Sequence, residues 1–323
     1  MTDGTTTTTM HSRLRYLGLL SAAGLILLVL PSSASAQATR TWVSGVGDDA
    51  NPCSRTAPCK TFAGSISKTA AKGEINCLDP GGFGGVTITK AIKIRCQHTE
   101  AGVLVSGTNA IVVNAAATDS VILRGLDIHG TGTGLNGIRV LQAERVKVYD
   151  TEISGFARNG VDFEPANSGA KGLVRSSTIE DNGGNGVLVA PPDPGDRVRM
   201  TVRHSDLSSN GCGITATSHS LSPTFDYAAN CGTLTTGSAG APKVGLFYNA
   251  IMDHDDVAGA AGSTGAFSNG PQATIQIGGN EITGNTNGIR SIDVGLNGIF
   301  SFGDNYIYGN TTNGTPDGTI SPT

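Results

Sequence analysis

Along most of this chain, apolar and polar residues alternate in short runs, and the runs recur. Val121-Ile122-Leu123, Val146-Lys147-Val148, Leu246-Phe247-Tyr248, Thr274-Ile275-Gln276-Ile277 and Ile299-Phe300-Ser301-Phe302 are examples. The period of two and the β-branched content predict strands. A second signal is longer. An Ile or Leu is followed six to nine residues later by Gly and a short apolar strand. Ile153 leads to Asn159-Gly160-Val161, Ile179 to Asn185-Gly186-Val187, Leu207 to Gly213-Ile214 and Ile282 to Asn287-Gly288-Ile289. Ile307 with Gly314 and Ile128 with Gly137 obey the same rule. The connections are rich in Gly, Asn, Asp and Ser, the residues of tight turns and left-handed backbone.

The glycine landmarks fall at Gly85, Gly137, Gly160, Gly186, Gly213, Gly265, Gly288 and Gly314, with Ala110 in the slot between the first two. Successive gaps are 25, 27, 23, 26, 27, 52, 23 and 26 residues. The one double-length gap hides a rung or holds a long insertion. Self-similarity at this period is the mark of a solenoid. Three short strands per coil predict an all-β fold, a right-handed, single-stranded parallel β-helix. A leucine-rich repeat lacks its frame here, and a propeller needs about 40 residues per blade. Asn249, Asn280 and Asn305 share one slot, which Thr151, Ser177 and Ser205 fill in earlier coils. Asn182, Asn210, Asn285 and Asn310 share another. Stacked amides can hydrogen-bond along such columns; simple turn preference for Asn explains them as well.

The front of the chain reads differently. Arg13 and Arg15 precede an apolar run from Leu17 to Leu30 and then Ala34-Ser35-Ala36. That is the form of a signal peptide over 1–36, cut before Gln37, with a retained anchor as the alternative. The domain expected after it is 37–323, with an N-terminal strand and cap helix over 37–73 and coils over 74–318. The expected location is secreted or periplasmic, with no membrane span after cleavage. Six cysteines, Cys53, Cys59, Cys77, Cys96, Cys212 and Cys231, then imply disulfides. Sequence proximity favours pairing them in that order. The last pair would staple the long loop 217–243 to the coil face. Cys-x-x-Cys is absent and the histidines are scattered, so zinc is disfavoured. The formal net charge of −4, with only 15% charged residues, argues against nucleic acid and anionic membranes as partners. A polyanionic sugar would require a local basic groove or bridging calcium.

Thr41-Trp42-Val43-Ser44-Gly45-Val46-Gly47-Asp48-Asp49 resembles the opening of secreted β-helix proteins of the pectin-lyase-like superfamily. So do Pro58-Cys59-Lys60-Thr61-Phe62, Gly73-Glu74-Ile75, Asp79-Pro80-Gly81 and Val86-Thr87-Ile88-Thr89-Lys90. The resemblance implies a short capping helix, here from Thr61 to about Ala71, which covers the open end of the solenoid. It is specific for fold and says little about activity.

In enzymes of that superfamily the site lies outside the strand that follows the glycine. The matching column here reads Thr87, Val112, Arg139, Asp162, Leu188, Thr215, Phe267, Arg290. Arg139 and Asp162 are the candidate catalytic pair. Arg139 would serve as base or carboxylate clamp, and Asp162 as acid or calcium ligand. The alternative is a surface salt bridge worth under about 1 kcal/mol. Phe225 and Tyr227 in the long loop are candidates for stacking on sugar. Asp253, Asp255 and Asp256, around His254, are the candidate calcium ligands. Further carboxylate clusters are Asp150/Glu152, Asp162/Glu164 and Glu180/Asp181. The acidic motifs of polygalacturonase-like and alginate-epimerase-like members are missing. Two function classes follow. One is a non-catalytic glycan-binding, adhesive or envelope-associated scaffold. The other is a polysaccharide lyase or glycoside hydrolase.

Overall fold

The structure is a computed structural model that describes residues 37–218, 231, 239–254 and 263–321. The leader 1–36, Phe225, Tyr227, Asp255 and Asp256 lie outside the described residues. The chain runs repeatedly through three sheets in a fixed order. The first sheet has eight strands, each following a landmark slot; the second has 11 and the third has nine. Neighbouring strands in every sheet are parallel and one coil apart. This is a parallel β-helix. Ile138 pairs with Val161, Val161 with Val187, Val187 with Ile214 and Ile214 with Ala266. The double-length gap therefore hides no rung, because Cys212–Thr217 pairs directly with Thr264–Asn269. The extra chain lies in the connections of that one coil.

Inward side chains stack into one continuous apolar core. Ile153, Ile179, Leu207 and Ile282 are fully buried in it. Ile307, in the last coil, also packs on the core but is half-exposed because no further coil covers it. The repeated glycine now has a physical cause. A Cβ on Gly186 would stand 2.8 Å from the carbonyl oxygen of Gly213, and one on Gly160 2.8 Å from that of Gly186. Successive coils approach closely there, and Ala110, in the second slot, is the one landmark that carries even a methyl group.

Two corners share a second rule over most of the later coils: a residue with positive φ, then a residue that bonds up the column. Between the second and third sheets the pairs include Asp150-Thr151, Ser176-Ser177, Tyr248-Asn249 and Gly279-Asn280. Asn249 Nδ2 donates to Asn280 Oδ1 at 2.9 Å, and Asn280 Nδ2 to Asn305 Oδ1 at 2.8 Å. After the third sheet, Asn182 Nδ2 donates to Asn210 Oδ1 and Asn285 Nδ2 to Asn310 Oδ1, both at 2.8 Å. The asparagine columns are thus true ladders. A third one, which the sequence reading did not single out, runs from Asn109 through Asn136 and Asn159 to Asn185.

The helix before the coils is shorter than expected. It spans only Phe62–Ile66, with Thr61 as N-cap accepting from the Gly64 N–H at 2.8 Å. Thr61 is itself held by Asp49, which accepts its hydroxyl and its N–H. Phe62 packs on Phe83 with ring centroids 5.2 Å apart. Ala70 belongs to the strand Thr69–Cys77, not to the helix, because that segment pairs in parallel with Ala38–Val43.

Candidate functional site

The first sheet carries the expected column in the expected register. Arg139, from Ile138–Gln142, pairs with Asp162 of Val161–Phe163, and the column continues through Leu188, Thr215, Phe267 and Arg290. Arg139 Nε lies 3.8 Å from Asp162 Oδ2, and its Nη2 lies 3.4 Å from Glu164 Oε2. The arrangement is one guanidinium between two carboxylates on the next coil. It is not a surface ion pair, because the Asp162 side chain is only 2% exposed. Its Oδ1 is buried without a hydrogen-bond partner.

Burial, and then the neighbouring charge of Glu164, push the Asp162 carboxyl well above the usual carboxylate range, against the pull of Arg139 and Arg158. Burial raises Glu164 too, with Arg139 and Arg158 opposing. Each of the two carboxyls therefore holds its proton to higher pH than an exposed acid does. Beyond Asp162 the column closes. Leu188, Thr215 and Phe267 are buried although they point away from the core. Thr215 donates to Asn185 Oδ1 at 2.5 Å.

The Cys212–Cys231 bridge, with 5.4 Å between its Cα atoms, fixes position 231 on this same face, against Phe267. Arg290 lies over the Phe267 ring, 5.7 Å from its centroid. Cys53–Cys59 and Cys77–Cys96 are the other two bridges. All six cysteines are thus paired as sequence proximity suggested.

The acidic run at 253–256 is not drawn together by its described members. Asp253 is exposed at a corner with positive φ, equivalent to Asp181, Ser209 and Gly284 in other coils. His254 turns inward. It occupies the ladder slot of Asn210 and Asn285: the Asn210 N–H donates to its Nδ1 at 3.2 Å, and its own N–H donates to Asn285 Oδ1 at 3.4 Å. Burial pushes its pKa down to about 3. A signal for this was present, since His254 stands three residues after Ile251, the spacing of the other ladder residues. Among the described residues no three His, Cys, Asp or Glu side chains gather closely enough to hold a metal ion. Nor is any helix among them long and apolar enough to cross a membrane.

Residues 84–230 match the family described as a right handed beta helix region. Among solved structures the chain is similar to the pectate lyase Pel9A, at 15% identity and a TM-score of 0.59 over 83% of this chain and 69% of that one. It is also similar to an alginate lyase from Paenibacillus sp. str. FPU-7, at 15% identity and a TM-score of 0.42, over 88% of this chain and 99% of that one. No curated protein matches it in sequence. The likeness to Pel9A is one of fold.

Proposed function

We propose that this chain, which has the right-handed parallel β-helix fold of the pectin-lyase-like superfamily, is a secreted, non-catalytic glycan-binding scaffold. One observation carries the reading. On the first sheet, Arg139 is engaged by the buried Asp162 and the half-buried Glu164, and the three column positions beyond them are closed to solvent. Acid–base work on a polymer needs groups that reach the substrate. A guanidinium clamped at one end of a column that continues through packed Leu188 and Phe267 offers a structural cluster instead. Three disulfides suit an oxidising compartment, and the polysaccharide named for Pel9A supports a glycan as the ligand.

A second reading has its own support. Perturbed carboxylates cluster at active sites, and both Asp162 and Glu164 are raised. In a lyase or hydrolase, Glu164 would carry the transferable proton and Arg139 would hold a sugar carboxylate.

The test is a screen of the purified protein on acidic and neutral polysaccharides, following retention, new reducing ends and unsaturated products. The expected outcome is retention without products, matched by an Asp162→Asn variant. Turnover that Asp162→Asn abolishes would overturn the scaffold in favour of the enzyme.

A further inference from the structure

The chain is acidic in sum, yet its cations are not spread evenly. Strands of the second sheet alternate inward Val, Leu and Ile with outward Lys and Arg, as in Arg145-Val146-Lys147-Val148. The parallel register then stacks the outward residues. Arg145, Lys171, Arg199 and Lys243 form one unbroken column over four coils. Arg95, Arg124, Arg175 and Arg203 occupy a second, with Tyr149 between Arg124 and Arg175. With Lys93, Lys147 and Arg197 these make eleven of the 22 Lys and Arg residues in the chain; Arg40, on the end strand of the same sheet, is a further one and is paired with Glu74.

Acidic partners serve only three of the eleven. Arg95 reaches Glu74 at 3.5 Å, Arg124 reaches Asp150 at 3.1 Å and Arg145 reaches Glu144 at 3.7 Å. The other eight make no ion pair among the described residues. Asp193 and Asp196 stand in the turn before Arg197 and are likewise without a cation partner. Like charges on adjacent strands, about 4.8 Å apart, destabilise a sheet by a few tenths of a kcal/mol or more per pair. A cation repeated at one position over four coils is therefore not neutral for the fold.

The face is also concave. A cavity of about 690 Å³ runs across the coils, lined by Lys171, Arg197, Arg199 and Lys243 on one side and by Gln272, Thr274 and Asn297 further along. A second, of about 320 Å³, adjoins it through Lys171 and takes in Arg145, Lys147, Arg175 and Arg203. We infer that this groove binds a linear polyanionic glycan laid along the solenoid axis, its acidic groups on the cation columns and its hydroxyls on the amides and Thr274.

The inference rests on the glycan-binding reading above and adds to it the charge of the ligand and the face that holds it. That face is separate from the Arg139 cluster on the first sheet. A concave groove suits a polymer better than a plane of lipid head groups. The residues lining the two cavities include no aromatic ring for a nucleic-acid base to stack on; Tyr149 and Phe247, in the second column, stand outside them.

The test uses the purified protein and the triple variant Lys171→Glu, Arg199→Glu, Lys243→Glu, all exposed side chains. Arg55→Glu, in the exposed loop before the helix, is the control of equal kind. Probes are polygalacturonate for carboxylate, heparin for sulfate, dextran for a neutral chain, duplex DNA and anionic vesicles. Parent protein and Arg55→Glu should bind polygalacturonate or heparin, less tightly as salt rises, and the triple variant should bind about tenfold more weakly or worse. Circular dichroism checks its fold; if glutamates prevent folding, the triple glutamine variant takes its place with the same expectation. Acidic glycan bound equally by the triple variant overturns the site. Dextran bound in preference overturns the ligand charge but keeps the glycan reading. DNA or vesicles bound more tightly than any glycan overturn the ligand class. Failure to bind any polysaccharide overturns the glycan reading itself.

Discussion

His254 is the residue at which function and folding were easiest to confuse. Flanked by Asp253, it reads as part of an acid–base or metal group, yet its ring substitutes for an asparagine in a ladder. Because Nδ1 accepts from the Asn210 N–H, the proton sits on Nε2, which is buried without a partner. In the unfolded chain a histidine titrates near 6.5, whereas here it titrates at about 3. The folded pKa is depressed, so the unfolded state takes up the proton first. Stability contributed by the neutral ring is complete above about pH 6.5 and is lost as pH falls toward 3. Asp162 and Glu164 work in the opposite direction: their raised pKa values mean that protonation on acidification favours the folded state. A single variant separates the two effects. His254→Asn should restore the ladder, and its advantage over the parent should widen by about 1 kcal/mol per pH unit below about 6. Urea denaturation at neutral and mildly acidic pH measures this, and a constant difference would contradict the assigned burial of the ring.

At the scale of a coil, stability comes from close stacking, and the glycine slot is its tightest point. Gly186→Ala would drive a methyl group against the Gly213 carbonyl and toward Asn210 Nδ2, which lies 3.0 Å from the Cβ position. The coils can separate there only by breaking bonds of the parallel ladder. Ile179→Ala on the same coil empties a fully buried site and should cost about 2–5 kcal/mol. The alanine at 186 should cost at least as much as the lower end of that range, in a thermal or denaturant melt. A Gly186→Ala protein as stable as the parent would mean that the glycine repeat has another cause.

These elements were legible in the sequence because a strand buried on one face writes its orientation every second residue. The helix was misjudged past Ile66 because Phe62, Ile66 and Ala70 keep a helical period, while pairing with Ala38–Val43 decides the outcome from Thr69 on. Two features of the sites were not legible. Asp162 has an outward position in its strand, so its burial arises from what lies over that face. The cation columns are built from residues about one coil apart in sequence, and only register brings them together.

Over the whole solenoid, each coil contacts little beyond its neighbours, so stability is a sum of local interfaces. The coil after Leu207 is the exception, since its connections carry the long insertion. The Cys212–Cys231 bridge, closing a separation of 19 residues, ties that insertion to the first sheet and covers Phe267. Replacing both cysteines by serine should lower stability by about 3 kcal/mol. A lower melting temperature in the variant than in the parent, and a smaller further drop with reductant in the variant, which keeps the other two bridges, would be the sign of it. No shift in either would mean that the insertion contributes nothing to the fold.

The one-sided cations have a mechanical consequence. A body with eleven positive groups on one of three faces, and a negative sum, has an electric moment across its long axis. Near any acidic polymer or wall it experiences a torque as well as an attraction, and the torque vanishes at one roll angle. The second sheet then faces the charged partner. The first and third sheets, with the stacked corner of His204 and Tyr248, are turned outward in the same pose on every molecule.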